Sequence, residues 1–361
     1  MSDAELHYPW GALRPEPAGT LPVASHGHHG ADTVRWLRMS LPFALNHINL
    51  WLLRDCLDGV EGWTAVDCGI HHADAQAQWE QVFAQELGGL PVLRVIVTHM
   101  HPDHVGLAHW LCERWSTPGR PCRLWMSTTD YALARIGAGG GNGFGGDRAA
   151  QFFASHGLTD PKSLDLIRER AGYYPSMVPA VPAQFRRMMD GQGLRIGGHD
   201  WQCVAGYGHA PEHMALHCAE LNLFISGDMM LPRISTNISV HEMEPEANPL
   251  PLFLQSLERM RSLPVATLTL PSHGLPFMGL HTRIAQLHAH HEARLQDVRI
   301  ACAQPRSAAD LLPVLFHRAL DLHQTTFAMG EAVAHLHALW HSGELRRTCD
   351  AQGVWRFQLA A

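Results

Sequence analysis

Between residues 98 and 104 the chain reads Thr98-His99-Met100-His101-Pro102-Asp103-His104. His99 and His101 stand two apart, so in an extended turn both imidazoles project to one side. Asp103 and His104 follow where the chain bends into the next helix. Two nitrogen donors, a carboxylate and a further nitrogen are donor types that suit divalent cations, and this run can serve two adjacent ones. The chain carries 27 histidines, so a lone His-x-His would mean little here. What lifts this stretch above that background is the added Asp-His and the run before it. Residues 91–98, P-V-L-R-V-I-V-T, are apolar nearly throughout, which predicts a strand buried on both faces. Loops at the ends of such strands are where layered α/β enzymes place their chemistry.

The elements that must position this loop can be read outward from it. Residues 33–39, 47–54 and 62–67 are β-branched and aromatic runs bounded by Gly and Asp, the pattern of sequential antiparallel strands. Residues 73–88 read as a helix, with Trp79, Val82, Phe83 and Leu87 at helical spacing. Beyond the motif the pattern predicts a helix over 104–115 and strands near 123–127, 199–206 and 222–227. A helix over 249–262, a strand at 267–270 and a long helix over 279–302 follow. Residues 130–190 differ in character, being glycine-dense at 138–146 and proline-spaced at 173–182, and predict an insertion that covers the site as a lid. From 303 two helical patterns precede a hairpin turning at 350–353, the outline of a small winged-helix-like domain. Residues 1–31, rich in Pro, Gly and His, read as a flexible leader. The expected organisation is leader 1–31, catalytic domain 32–302 and C-terminal domain 303–361.

The motif resembles the metal-binding motif of the metallo-β-lactamase fold superfamily, and the resemblance runs along most of the chain. The superfamily's strand-terminal Asp is matched by Asp67 in V-D-C-G, and its Gly-His loop by Gly208-His209 in Y-G-H-A-P-E-H. Its Gly-Asp after a strand is matched by Gly227-Asp228, and its late His by His273 in L-P-S-H-G, all in order. The resemblance implies an α/β fold of the four-layer αβ/βα sandwich type, with the helical lid and the C-terminal winged-helix-like domain added. It implies one metal held by His99, His101 and His209, a second held by Asp103, His104 and His273, and Asp228 bridging them. Asp67 and His213 would orient the ligands, and Glu212, where the family carries glycine, would bring a carboxylate near the pocket. Two divalent ions are expected, Zn2+ first, with Fe2+ or Mn2+ as alternatives.

Two cations flanking one water would supply hydroxide as nucleophile, with Asp103 placed to accept its proton as the catalytic base. The glyoxalase II-like branch is the most similar, so the expected substrate is a small ester, thioester or lactone. The glutathione-binding residues of that branch find no match. A metal-dependent ribonuclease and a mononuclear iron persulfide dioxygenase-like enzyme stay open as alternatives. So does a binding module whose winged helix contacts a partner. Arg233 and Asn237, directly after Asp228, are candidates for substrate contact.

The remaining histidines read differently. His288, His290 and His291 lie on the long helix among Arg283, Glu292 and Arg294 and predict a solvated face. His26, His28 and His29 fall in the leader and read as silent, while His71 and His72 are close enough to Asp67 to line the pocket. No Ser-His-Asp motif competes, and the glycines at 138–146 lack the Lys-Ser/Thr of a phosphate-binding loop. A hydrophobic content of 46% against 17% charged residues describes a folded globular chain. The net charge of −7, with Lys162 the single lysine, argues against a nucleic-acid partner. Eight scattered cysteines without a C-x-x-C pair argue for a reducing compartment. No signal sequence or membrane-length apolar run is read. The expectation is a cytoplasmic enzyme acting on a small molecule, without membrane contact, with a homodimer left open.

Overall fold

The structure, a computed structural model, describes residues 6–23, 33–141 and 145–360. Its first sheet holds seven strands in chain order: β1 (Thr20–Pro22), β2 (Val34–Ser40), β3 (His47–Leu57), β4 (Val60–Val66), β5 (Val92–Ile96), β6 (Arg123–Met126) and β7 (Phe185–Arg187). β1 to β4 pair antiparallel, as their short connections allow. β4 to β7 pair parallel because helices carry the chain back between them. These helices are α1 (Ala73–Gln85), α2 (Pro102–Val105), α3 (Ala108–Trp115), α4 (Thr128–Ala138), α5 (Asp147–Ser155), α6 (Pro161–Glu169) and α7 (Tyr173–Met177).

The second sheet runs in the order β12-β11-β10-β9-β8, from β8 (Gly193–Ile196), β9 (His199–Gly206), β10 (His213–Cys218), β11 (Leu223–Gly227) and β12 (Leu268–Pro271). It is covered by α8 (Pro249–Met260) and α9 (Leu280–Ala301). The chain closes with α10 (Ala308–Leu315), α11 (Leu322–His341) and the hairpin β13 (Leu345–Cys349) and β14 (Trp355–Leu359). The hairpin turns through Asp350 and Gly353, where the chain was expected to turn.

The central strands of the first sheet are apolar on both faces. In β3, Ile48, Leu50 and Leu52 pack toward α1 and α3, while Trp51 and Leu53 turn toward the second sheet. Between the sheets lie Trp36, Trp51, Ile96, Trp201, Leu216, Ile225 and Leu270. Helix, sheet, sheet, helix is therefore the layer order, and burial on both faces explains why these strands read as unbroken apolar runs. A buried ion pair lies within the first sheet, and its arginine also reaches the second. Arg94 on β5 donates to Asp55 on β3 at 2.8 Å and to the carbonyl of Arg195 on β8. Both charged side chains are at most 2% exposed, and the added bonds to Thr64 and Arg195 are what make such burial tolerable.

Two expectations need correction. The leader is not loose over residues 6–23: β1 extends the first sheet, His7 bridges Met278, and Leu6, Ala18 and Val23 are buried. Apolar residues spaced by Pro and Gly were enough to dock it. The leader histidines His26, His28 and His29 lie outside the described residues. The C-terminal segment packs closely on the rest of the chain. Met329, Ala332 and Leu336 of α11 share one cluster with Phe253 of α8, Ile284 and Leu287 of α9, and Phe152 and Phe153 of α5. The second correction concerns α9, which is packed on two sides, so His291 and Arg283 are fully buried where a solvated face was expected. Among the described residues no helix is long and apolar enough to cross a membrane.

Candidate metal centre

Each donor lies just past the end of a strand. After β5 the chain passes through Val97 and Thr98 to His99 and His101, and α2 begins at once with His101 as its N-cap. Asp103 and His104 thus project from the first turn of α2 toward the same hollow. His209 follows β9, Asp228 follows β11 and His273 follows β12. The seven side chains form two groups, His99, His101, His209 and Asp228 in one and Asp103, His104 and His273 in the other. Within each group the donor atoms lie within 4.8 Å of one another.

Asp228 faces both groups. Its Oδ2 is 3.4 Å from His209 Nε2 and 3.6 Å from His104 Nε2, and its Oδ1 is 3.5 Å from His273 Nε2. His99 Nε2 lies 2.8 Å from His101 Nδ1 and 3.2 Å from His209 Nε2. In the second group Asp103 Oδ2 is 3.3 Å from His273 Nε2 and 3.6 Å from His104 Nε2.

The opposite nitrogens of these rings are held from outside. His209 Nδ1 donates to the carbonyl of Asn237 at 2.7 Å, and His273 Nδ1 donates to that of His47 at 2.8 Å. His104 Nδ1 meets Asp67 Oδ2 at 2.9 Å, and His99 Nδ1 meets Thr98 Oγ1 at 3.0 Å. Such outer bonds fix ring orientation and tautomer, leaving Nε2 as the inward donor. Asp67 also accepts from the Thr98 amide at 2.8 Å, so one carboxylate braces two parts of the ligand loop. It does so from a left-handed backbone, φ 61°, a strained conformation that Asp tolerates better than most. His213 Nε2 accepts from the Asp228 amide at 3.2 Å. Only glycine fits at 227 beside it, since a Cβ there would run into that nitrogen.

Charge in this hollow is unbalanced in a way that suits cations. Burial and neighbouring imidazoles push His99 and His101 well below the usual range, so both are neutral ligands. Burial would also depress His104, but the carboxylates of Asp103, Asp67 and Asp228 override it and push its pKa well up. Burial works against ionised Asp228, yet His273 and His104 hold its carboxyl well below the ordinary value. Two atoms at the heart of the site, His104 Nε2 and Asp228 Oδ1, are buried without a hydrogen-bond partner. Unpaired buried donors and acceptors of this kind demand an explanation, and a divalent cation held among these donors would supply it.

Asn237 lines the cavity above the centre, but its side chain is engaged, donating to Glu331 at 3.1 Å and accepting from Ser239 at 2.7 Å. Arg233 is exposed and lies off the cavity wall. Glu212 likewise turns away, accepting from Thr129 Oγ1 at 3.0 Å. His72 is the exposed N-cap of α1, and neither it nor His71 lines the cavity.

Two residues outside the sequence reading stand out. Asp130 on α4 is fully buried and accepts from the Met100 amide at 2.9 Å and the Glu212 amide at 2.7 Å. It ties the loop bearing His99 and His101 to the loop bearing His209. Burial raises its pKa to about 6 against the pull of those amides. In sequence it reads only as a first-turn acid after the N-cap Ser127. Glu331 on α11 lines the cavity, and burial raises its carboxyl to about 7, offset in part by Asn237. The available signal was the single acid between Ala328 and Leu339, where the other residues are apolar or glycine apart from His335 and His337.

The cavity has a volume of about 960 Å3. Its floor includes His101, Asp103, His209, Asp228 and His273, and its walls come from the β2–β3 turn, α7, the 231–237 loop, α9 and α11. Gly330 lets α11 approach that loop, because a Cβ there would meet Ser239 Cβ at 2.7 Å.

Comparison with known proteins agrees with this architecture. Residues 45–273 match the family described as the metallo-beta-lactamase superfamily, and residues 295–360 match its metallo-beta-lactamase-like C-terminal domain. A solved beta-lactamase domain protein from Burkholderia ambifaria is 52% identical, with a TM-score of 0.92 and 99% of each chain covered. A solved metallo-beta-lactamase family protein from Thermus thermophilus is 26% identical, with a TM-score of 0.74, over 91% of this chain and 99% of that one. The probable metallo-hydrolase YqjP of Bacillus subtilis (strain 168) is 24% identical over 84% of this chain and 91% of its own length.

Proposed function

The chain belongs to the metallo-beta-lactamase superfamily, and from that premise we propose that it is a dinuclear metal-dependent hydrolase of a small ester, thioester or lactone. One observation carries this reading: two donor groups, both faced by Asp228, meet at the floor of a single cavity. Divalent cations held there would lower the pKa of water toward neutrality and polarise the bond under attack. The chain's own residues do the remaining work. Asp103 lines the cavity and is held ionised by His104 and His273 despite its burial, so it can take the proton of the attacking water. Asp67, Thr98, Asn237 and His47 keep the imidazoles aimed inward, and Asp130 keeps the two ligand loops together.

The presence of Asp103, His104 and His273 as a second full set favours two cations over one, and hence hydrolysis over one-iron oxygenation. The net charge of −7 speaks for a small molecule rather than RNA. The test is chelation followed by re-addition. EDTA-treated protein should lose ester turnover, and Zn2+, Mn2+ or Fe2+ should restore it. Turnover that survives complete metal removal would end the proposal.

A further inference from the structure

The cavity has an aromatic wall that the hydrolytic chemistry does not call for. Phe43 from the β2–β3 turn, Tyr173 at the start of α7, and His323 and Phe327 on α11 meet there from three distant parts of the chain. Phe43 stacks on His323 with centroids 5.5 Å apart and planes at 10°. Tyr173 meets the same ring edge-on at 6.0 Å, and Phe327 does so at 4.9 Å. All four rings are part-exposed where they line the cavity. The rim continues in the same character, with Leu45 38% and Ile234 50% exposed. Apolar surface left open to water along a cavity is what an apolar ligand would cover favourably.

The wall also begins at the right place. Gln324, Phe327, Ala328, Glu331 and His335 all line the cavity, so α11 presents one stripe to it. Glu331 bonds Asn237, whose carbonyl holds the ring of His209. Phe327 lies one turn further along, so a group leaving the metal centre along α11 meets the aromatic wall at once.

We propose that this wall, with Phe327 at its centre, binds an extended apolar acyl or aryl group of the substrate, so that medium-chain and aryl esters or thioesters are preferred over acetyl-sized ones. The inference rests on the hydrolase reading above but is tested separately from it. With full-length, metal-loaded protein, kcat/KM for p-nitrophenyl esters should rise from acetate to octanoate by about two- to four-fold per methylene. Phe327→Ala should lower the octanoate-to-acetate ratio at least tenfold. Phe327→Trp, which fills the space, should move the optimum to shorter chains and serves if the alanine variant folds poorly. Independently of turnover, calorimetry on metal-free protein should show octanoate binding at least tenfold tighter than butyrate, with that margin lost in the variants. A flat ester series, or variants that alter short and long ligands equally, would overturn the proposal and leave the rings as a brace for α11. If no ester is cleaved but octanoate binding still depends on Phe327, the hydrolase reading fails and the apolar site stands.

Discussion

The floor and the far wall of the cavity are built in opposite ways. The floor takes four of its seven donors from residues 99–104, and each of the others follows closely on a strand end. Every one of these positions is set by a local event, the end of a strand and the turn that follows. The wall is assembled from α9, α11, α7 and the β2–β3 turn, segments distant in sequence that no local pattern links. On the proposed function, chemistry in this molecule is encoded at short range and recognition at long range. Exchange of the wall would therefore change what is cleaved, while damage to the floor would abolish cleavage.

Substitutions divide along the same line, and the largest effects should come from the floor. Asp228→Ala removes the carboxylate shared by both donor groups. Metal content and ester turnover should both fall by more than the roughly 10- to 100-fold typical when a supporting partner of a ligand is lost. Metal analysis beside turnover checks this, and a variant that keeps both would erase the distinction between floor and wall. Asp130→Ala should come next. It leaves the Met100 and Glu212 amides without their acceptor, at about 1–3 kcal/mol each, and loosens one ligand loop from the other. Denaturation and metal titration should show lower stability and weaker metal affinity together, with Asp130→Asn intermediate.

At the wall the effects should be smaller and pH-dependent. Glu331 has a folded pKa of about 7, above its ordinary 4.5, so the folded state binds its proton more tightly than the unfolded state does. For a carboxyl shifted in this direction, wild-type stability declines as pH rises from about 4.5 through 7. Glu331→Gln carries no such group, so its melting temperature relative to wild type should climb between about pH 5 and 8. Parallel melting curves across that range would show that burial of Glu331 does not strain the fold. The smallest effect is expected from Arg261→Ala, which breaks an exposed ion pair with Glu258. Solvent and salt screen such a pair, and melting temperature, metal content and turnover should all stay at wild-type values.

The same asymmetry explains what could be read from the chain alone. The run from His99 to His104 was legible from its own spacing and the strand before it, while Asp67, His209, Asp228 and His273 were marked by the family resemblance. The central strands were legible too, since apolar runs buried on both faces mark them, while their four-layer arrangement was implied by the resemblance. β10 escaped notice because its histidines, His213 and His217, disguise a fully buried strand. Arg233 and Glu212 were misplaced because proximity in sequence to a ligand does not say which way a side chain turns. His291 and Arg283 looked solvated because their charged neighbours hide the fact that α9 is packed on two faces. Asp130 left no mark, as its two acceptor bonds join amides from positions 100 and 212.

The central claim is that both donor groups hold metal and that turnover needs them together. Titration of Zn2+ into metal-free protein, with bound metal and ester turnover followed in parallel, tests it most directly. Two ions per chain should bind, with turnover rising until the second site fills, and His273→Ala should bind one and lose activity. Saturation of both binding and turnover at one ion per chain, unaffected by His273→Ala, would contradict the account.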